Sequence, residues 1–334
     1  MPEQRTGQPA TRRPPGLRGG IDLGGTKIEA VVVDGRHRLL GSSRRPTPTT
    51  GTPIDVAHEM VAAMTEATKM AGTEPSALSG VGVGSPGTVD TATGTVSSAR
   101  NLPGWDDSFA LGPALAGEFG TRVQVGNDVQ VATDAEYRLG AGRPYRSVLG
   151  VFWGTGVGGG IVLDGESWRG LGGAGEIGHM VVRTGGRRCP CGNKGCMEAY
   201  AGRLAMEDRA RAEIGKGRKS DLVKIARRKH RERFTSSVWG AAIEQGDTLA
   251  VELIDEAVGA LGTGIASALN LLDLEAVVIG GGLGVRFGEE YVTKIAKAME
   301  PHLFPGHQAP AVHLAGLGDI GGAVGAALLV RRKR

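Results

Sequence analysis

The chain has 334 residues, of which 40% are hydrophobic and 22% are charged, and this balance predicts an ordinary soluble globular protein with two domains and a large core. It contains no apolar run of transmembrane length and no apolar leader segment near residue 1, so we expect a cytoplasmic protein without a membrane partner. The net charge of +4 is concentrated at the ends, because residues 1–18 carry +3 and residues 331–334 carry +4, which leaves −3 for the rest.

The first half of the chain alternates predicted strands and helices. Residues Gly20–Asp34 (GIDLGGTKIEAVVVD) predict a strand, a glycine turn and a second strand. Apolar residues at helical spacing predict a helix over Ile54–Ala71. The elements expected next are a buried strand at Leu78–Val83, a helix at Gly112–Phe119, a strand at Val123–Val125 and a helix at Val129–Leu139.

The second half begins with a hairpin that resembles the first. A strand at Ser147–Trp153 enters a second glycine turn, Gly154–Gly160, and a strand at Ile161–Leu163 ends at Asp164-Gly165. Both hairpins combine a glycine-rich turn, an apolar strand and an Asp-Gly exit, which predicts two related half-domains. The elements expected after this hairpin are a helix over Thr248–Leu272, a strand at Ala276–Ile279, a helix around Glu289–Met299, a strand near Val312–Leu314 and a helix at Gly321–Val330. Alternating strands and helices predict the α/β class.

Both glycine turns have the composition of an anion-binding site. Successive unhindered backbone N–H groups form nests that bind anions, and Thr26, Lys27 and Thr155 add hydroxyls and a cation. Tight hairpins without a ligand are the alternative. Two segments, Gly82–Gly87 and Gly154–Gly159, match G-x-G-x-x-G, but a dinucleotide fingerprint must open a helix. The first segment runs into polar turns and the second into a strand, so the sequence argues against a dinucleotide site.

One histidine and all three cysteines of the chain predict a zinc site. The C-x-C-x4-C run contains Gly and Pro, so it cannot form a single regular helix or strand, and it can wrap round an ion. The predicted ligands are His179, Cys189, Cys191 and Cys196. They make the tetrahedral Cys3His shell of structural zinc, and their odd cysteine number argues against a disulfide framework. Three reduced thiols in a loop are the alternative. Glu176 and Glu198 flank the cluster and are placed to bind a polyol.

Two further segments are rich in basic residues or in proline. The run Lys216–Arg233 predicts an exposed helical face, and because no aromatic residues interleave it we expect no nucleic-acid partner. Residues 1–18 are rich in Pro and Arg and predict a disordered extension.

Together these motifs resemble the ROK family of bacterial sugar kinases and repressors. The motifs are Gly20–Lys27 (GIDLGGTK), Asn127-Asp128, Gly154–Gly160 (GTGVGGG), Glu176-x-x-His179 and Cys189-x-Cys191-Gly192-x-x-Gly195-Cys196-x-Glu198. The resemblance runs from about residue 20 to the end of the chain. It implies an actin/hexokinase-like ATPase fold of ribonuclease H-like half-domains with an active cleft between two domains. The domains would comprise 19–126 with 321–334, and 127–320 with a zinc knuckle at 179–196.

The resemblance also implies a role for each site residue. Asp128 would be the general base for a sugar hydroxyl, although an N-cap role at the following helix is the structural alternative. The sugar hydroxyls would be bound by Asn101, Asn127, Asp128, Glu176, His179 and Glu198. Asp22 would lie near the Mg2+ of ATP. The residues against the nucleotide would be Gly25, Thr26, Lys27, Gly154, Thr155, Gly156, Gly281 and Gly282. The zinc would be structural, because four protein ligands leave no open position for water.

The implied activity is ATP-dependent phosphorylation of a hexose, with glucose as the first expectation. The same residues suit fructose, N-acetylglucosamine or N-acetylmannosamine, and polyphosphate is an alternative donor. A sugar-sensing repressor needs a DNA-binding helix-turn-helix before Gly20, whereas the preceding residues show no helical pattern. The family resemblance implies a homodimer or a homotetramer.

Overall fold

The structure, a computed structural model, describes residues 16–99, 101–306 and 308–330. Most of the predicted extension 1–18 and all of the basic tail 331–334 therefore lie outside the described residues. The strands are β1 (Arg18–Leu23), β2 (Lys27–Val33), β3 (Leu39–Pro46), β4 (Val81–Ser85), β5 (Thr88–Asp90), β6 (Thr95–Ser97), β7 (Val123–Asn127), β8 (Val148–Trp153), β9 (Val157–Leu163), β10 (Glu166–Trp168), β11 (Ala276–Gly280) and β12 (Ala311–Leu314). The α-helices are α1 (Pro53–Met70), α2 (Leu111–Phe119), α3 (Asp128–Leu139), α4 (Glu198–Ala201), α5 (Arg203–Gly215), α6 (Leu222–Arg228), α7 (Ser236–Glu244), α8 (Thr248–Leu272), α9 (Gly281–Met299) and α10 (Gly321–Leu329).

Two five-stranded sheets share one topology, which confirms the repeat predicted from the two hairpins. Their strand orders are β3-β2-β1-β4-β7 and β10-β9-β8-β11-β12. In each sheet the first three strands are antiparallel neighbours, and the remaining two are parallel to the central strand. The class is α/β, as predicted.

Glycines bring two helices unusually close to these sheets. A Cβ at Gly82 of β4 would lie 1.7 Å from the carbonyl oxygen of Ala326, so only glycine lets α10 pack there. A Cβ at Gly150 of β8 would lie 2.2 Å from the hydroxyl of Thr133, which brings α3 equally close to the second sheet. Gly325 then lets α10 contact α3. The C-terminal helix therefore packs back on the first sheet, and the two helices join the two halves.

A buried carboxylate fixes the chain that leads into α10. Glu136 is 3% exposed and accepts hydrogen bonds from the N–H groups of Gly316 and Leu317 at 2.9 and 2.8 Å. Because Glu136 belongs to α3, the crossover from the second sheet to α10 is tied to the helix that α10 will contact. Each sheet has its own apolar core, with α1 and α2 covering the first sheet, whereas α5 to α9 surround the second.

Four sequence-based predictions differ from the structure in their extent. The strand predicted at Leu78–Val83 begins at Val81, after a short 3-10 turn. Gly158–Gly160 belong to β9 rather than to the turn, because they pair with Phe152, Val151 and Gly150 of β8. The helix predicted around Glu289 begins at Gly281 and is kinked at Gly288, where φ is 66°. Within Lys216–Arg233 only Leu222–Arg228 is α-helical. Within the described ranges no helix is both long and apolar enough to cross a membrane.

Candidate active site

The candidate site lies where three parallel strands of the first sheet end. Asp22 of β1 is in register with Gly84 of β4, and Ser85 of β4 is in register with Asn127 of β7. The carboxyl ends of β1, β4 and β7 therefore meet at one edge, which is where open α/β sheets bind ligands. Asp128 follows directly as the first residue of α3.

Asn127, and not Asp128, caps helix α3. The Oδ1 atom of Asn127 accepts a hydrogen bond from the Gln130 N–H at 3.1 Å. Asp128 accepts a hydrogen bond from the N–H of its neighbour Val129, at 2.9 Å. The N-cap alternative for Asp128 was therefore wrong, and its carboxylate is not committed to capping.

Two half-buried carboxyl groups at this edge have raised pKa values. Burial raises the pKa of Asp128 to about 7, and the negative charges of Asp22 and Glu176 contribute in the same direction. Burial also raises the pKa of Asp22 to about 6, against the opposing effect of the Lys27 ammonium. A carboxyl with a pKa near 7 can exchange a proton at neutral pH, and a pair of such groups attracts a cation.

The first glycine loop, Gly24–Thr26, connects β1 and β2. The Thr47 hydroxyl donates to the carbonyl oxygen of Gly24 at 2.6 Å, and the Thr47 N–H donates to that of Thr26 at 3.3 Å. A Cβ at Gly25 would lie 2.9 Å from the Asn101 amide nitrogen. The predicted sugar ligand Asn101 and this loop are thus direct neighbours.

Lys27 begins β2 beside this loop. Its ammonium lies 3.6 Å from the Glu29 carboxylate and donates to the carbonyl oxygen of Asp319 at 3.4 Å. Asp319 lies just before α10, so Lys27 reaches from the glycine loop to the chain that returns from the second sheet.

The second glycine loop, Gly154–Gly156, connects β8 and β9 in the equivalent position of the other sheet. The N–H groups of Arg203 and Leu204, in the first turn of α5, donate to the carbonyl oxygens of Gly154 and Thr155 at 3.1 and 3.2 Å. The Arg203 guanidinium donates to the Thr155 hydroxyl at 3.1 Å. Sequence reasoning missed Arg203, since no motif points to it.

The start of α9 adjoins the second glycine loop. Gly281 has a φ of 80°, and a Cβ there would lie 2.5 Å from the Trp153 carbonyl oxygen. A Cβ at Gly154 would lie 3.6 Å from the Gly282 nitrogen. The sequence-predicted nucleotide residues of the second half therefore meet at one place, next to a helix N-terminus that favours anions.

The four predicted zinc ligands form one cluster whose spacing suits the ion. Their ligand atoms all lie within 4.8 Å of one another. The Cys191 and Cys196 sulfurs are 3.7 Å apart, and the Cys189 sulfur lies 3.6 Å from Nδ1 of His179. Zn–S bonds of about 2.3 Å in a tetrahedron place two sulfurs about 3.8 Å apart, so the donor set and spacing fit zinc.

The cluster adjoins the predicted sugar-binding carboxylates. Since Nδ1 of His179 faces Cys189, the other ring nitrogen, Nε2, points elsewhere and lies 3.9 Å from the Glu176 carboxylate. Glu198 begins α4 two residues after Cys196, and its carboxylate accepts the Val157 N–H at 2.9 Å. The knuckle, the sugar-binding candidates and the second glycine loop are therefore directly connected.

Comparison with known proteins identifies the family of this chain. The ROK family model matches residues 18–333. A glucokinase of Streptomyces coelicolor is 34% identical over 325 residues, which cover 95% of this chain and 98% of that protein. An N-acetyl-D-glucosamine kinase of Salmonella paratyphi A is 32% identical over 93% of this chain and 98% of that protein.

A solved structure matches at the level of the fold. The ROK family glucokinase of Streptomyces griseus, in complex with glucose and AMPPNP, superposes with a TM-score of 0.80 at 33% identity, over 94% of this chain and 99% of that chain. The fold is thus the actin/hexokinase-like two-domain ATPase fold that the resemblance implied. Since the family model spans almost the whole sequence and a 34% identical relative aligns over 98% of its length, this chain belongs to the ROK family.

Proposed function

We propose that this protein is an ATP-dependent hexose kinase, with glucose as its preferred acceptor and glucose 6-phosphate as its product. The observation that carries the proposal is the Asp128 carboxyl, which begins α3 at the carboxyl edge of the first sheet with a pKa of about 7. The glucokinase relatives, one of them crystallised with glucose and AMPPNP, support ATP as donor and glucose as acceptor.

Asp128 acts as the general base in this proposal. A base works best when its pKa lies near the operating pH, because enough of it is ionised and it still binds a proton well. Burial and the charge of Asp22 give Asp128 that property. In its ionised form it accepts the proton of the attacking sugar hydroxyl. Activity should therefore fall as the pH drops below about 7, where Asp128 is protonated.

The sugar is held by side chains that offer both donors and acceptors. Vicinal hydroxyls each donate and accept, so a mixture of carboxylate, amide and imidazole groups suits them. The proposed sugar ligands are Asn101, Asn127, Asp128, Glu176, His179 and Glu198. The proximity of Asn101 to Gly25 and of Glu198 to Val157 supports a sugar bound between the two glycine loops.

The donor phosphates lie against the two glycine loops in this proposal. Phosphoryl transfer depends mainly on positioning and on neutralising charge, which backbone N–H groups, Lys27 and a helix N-terminus supply. The residues assigned to the nucleotide are Gly25, Thr26, Lys27, Gly154, Thr155, Gly156, Gly281 and Gly282. Asp22 would hold the Mg2+ that accompanies ATP, and the ion would neutralise phosphate charge.

Zinc has a structural role in this proposal. The ligands His179, Cys189, Cys191 and Cys196 would fill its tetrahedral shell, so it would bind no substrate water. Its bound ligand His179 would keep Nε2 directed towards Glu176. Loss of zinc should consequently weaken sugar binding as well as the fold of the knuckle.

A coupled assay over a sugar panel tests the proposal. With ATP as donor, ADP formation is measured with glucose, fructose, N-acetylglucosamine and N-acetylmannosamine. With inorganic polyphosphate as donor no ADP can form, so the sugar phosphate itself is measured for each acceptor. We expect the highest kcat/KM for glucose with ATP. The N-acetyl-D-glucosamine kinase relative makes that sugar the second candidate, and a higher kcat/KM for it would reassign the acceptor. The absence of sugar-dependent ADP formation would refute the proposal that this protein is an ATP-dependent sugar kinase.

A further inference from the structure

Both glycine loops are held from behind by a buried polar side chain. In the first half this is Thr47, which is 4% exposed; its hydroxyl donates to the carbonyl oxygen of Gly24, and its backbone N–H donates to that of Thr26. In the second half it is Arg203, which is 8% exposed. Thr47 directly follows β3 of the first sheet, whereas Arg203 begins α5, so different elements hold the two loops.

Arg203 makes contacts that a loop residue alone could not provide. One guanidinium nitrogen donates to the Thr155 hydroxyl at 3.1 Å, and the other donates to the Phe234 carbonyl oxygen at 3.2 Å. Its own backbone N–H donates to the carbonyl oxygen of Gly154 at 3.1 Å. Arg203 therefore fixes both the backbone and the hydroxyl of the second glycine loop.

The donor-only chemistry of arginine decides what the Thr155 hydroxyl can do. A hydroxyl has one hydrogen to donate and two lone pairs that accept, whereas a guanidinium only donates. Because Arg203 uses a lone pair of the Thr155 oxygen, the hydroxyl hydrogen stays available for an acceptor on the other side. Thr155 is half-buried, so part of it remains exposed to solvent. Phosphate oxygens are acceptors, which matches this polarity.

A buried carboxylate opposes the effect of burial on the Arg203 guanidinium. Burial lowers the pKa of Arg203, whereas Glu207, one turn further along α5 and itself completely buried, acts in the opposite direction. The Glu207 carboxylate accepts the Phe234 N–H at 3.0 Å and Nε of Arg211 at 2.9 Å. Arg211 in turn stacks 4.3 Å from the centre of the Phe234 ring. Arg211 thus shares the network but does not touch Thr155, which makes it a matched control.

We infer that Arg203 is a positioning residue for the phosphoryl donor, which orients Thr155 so that its hydroxyl donates to a phosphate oxygen. This inference rests on the proposed function, which places phosphates at the second glycine loop. It adds a specific residue that no sequence motif marks. A lysine cannot replace it fully, since a single ammonium on a flexible stem lacks the planar fork that spans Thr155 and Phe234.

The test compares nucleotide binding in four variants with the wild type. They are Arg203→Met, Arg203→Lys, Thr155→Val and the double variant Arg203→Met/Thr155→Val, with Arg211→Met as the control. AMPPNP affinity is measured by calorimetry, KM values for ATP and glucose by the coupled assay, and thermal stability by melting. The control reports what a purely structural loss in this network does.

We expect Arg203→Met to weaken AMPPNP binding about tenfold, as loss of one charge-assisted hydrogen bond predicts, and to raise the KM for ATP without changing that for glucose. Arg203→Lys should bind AMPPNP more tightly than Arg203→Met but less tightly than the wild type. If Arg203→Met does not fold, Arg203→Lys replaces it in the comparison with the wild type. The double variant should bind AMPPNP no more weakly than Thr155→Val. Arg211→Met should lower the melting temperature but keep the ATP KM.

Three results would overturn the inference: unchanged AMPPNP affinity in both Arg203 variants, an equal loss in Arg211→Met, or additive losses in the double variant. A wild type that binds AMPPNP but phosphorylates no sugar would instead refute the proposed function. The AMPPNP affinities of the variants would still test the role of Arg203 in that case. A wild type that does not bind AMPPNP would refute both.

Discussion

Replacing Asp128 with asparagine should lower turnover and at the same time stabilise the folded protein at alkaline pH. Burial, reinforced by the charge of Asp22, raises the pKa of Asp128 from 3.8 to about 7. A carboxyl group with a raised pKa costs no stability below its unfolded-state pKa. The cost grows between the two pKa values and is complete above the folded-state value.

The size of the effect follows from the shift in pKa. About three units at ~1.4 kcal/mol each give a cost of about 4 kcal/mol above pH 7. At pH 5 the pH is only about one unit above the unfolded-state pKa, so the cost in stability there is about 1.5 kcal/mol. Asparagine carries no such cost. The stability advantage of Asp128→Asn should therefore grow by about 2.5 kcal/mol between pH 5 and pH 8.

Urea unfolding of the ligand-free protein, followed by tryptophan fluorescence between pH 5 and pH 8, measures this difference. The coupled assay should show turnover reduced by roughly 10²–10⁴-fold, the usual contribution of a general base. Asp208→Asn removes an exposed carboxylate on α5 and should change neither quantity. A stability difference that is flat or falls with pH would refute the reasoning about burial, and near wild-type turnover would refute the role as base.

The remaining predictions concern zinc, packing and the first glycine loop. Elemental analysis should find about one zinc per chain, and Cys196→Ser should lose it together with sugar affinity; zinc-free protein of full activity and stability would contradict this. Gly82→Ala should destabilise by roughly 1–3 kcal/mol or more in urea unfolding, because its Cβ would collide with the α10 backbone, whereas Gly117→Ala in α2, with nothing within 4 Å, should be neutral or stabilise by up to about 1 kcal/mol. Equal effects of the two glycine variants would refute the packing argument. Thr47→Val should raise the KM for ATP several-fold, since it removes the hydroxyl that donates to the Gly24 carbonyl oxygen. An unchanged KM would show that the loop keeps its conformation without this hydrogen bond.

The repeat of two half-domains could be predicted because each glycine hairpin is a local pattern. Glycine runs, Asp-Gly exits and apolar strands lie within a few residues of one another, so the sequence displays them directly. The extent of β9 could not be predicted in this way. Gly158–Gly160 form a strand because they pair with β8, and Gly160 also packs against Thr133 of α3, which lies more than twenty residues earlier in the chain.

The zinc cluster and the neighbouring carboxylates could also be predicted from the sequence, because their residues lie close together along the chain. Cys189, Cys191 and Cys196 are close in sequence, and one loop brings them to within ligand distance of His179. The role of Arg203 could not be predicted, because nothing in the sequence distinguishes it from the many other arginines. Its role comes from burial and from contacts with Thr155 and Phe234, which are 48 and 31 residues away.

The central claim is that this cleft transfers phosphate from ATP to a hexose, with Asp128 as the base. The most direct measurement is product formation from glucose and Mg-ATP by the wild type and by Asp128→Asn, detected as glucose 6-phosphate together with ADP. The account predicts equal amounts of both products from the wild type and a rate lower by orders of magnitude for the variant, which should still bind AMPPNP. ADP formation without any sugar phosphate, or equal rates for the two proteins, would contradict it.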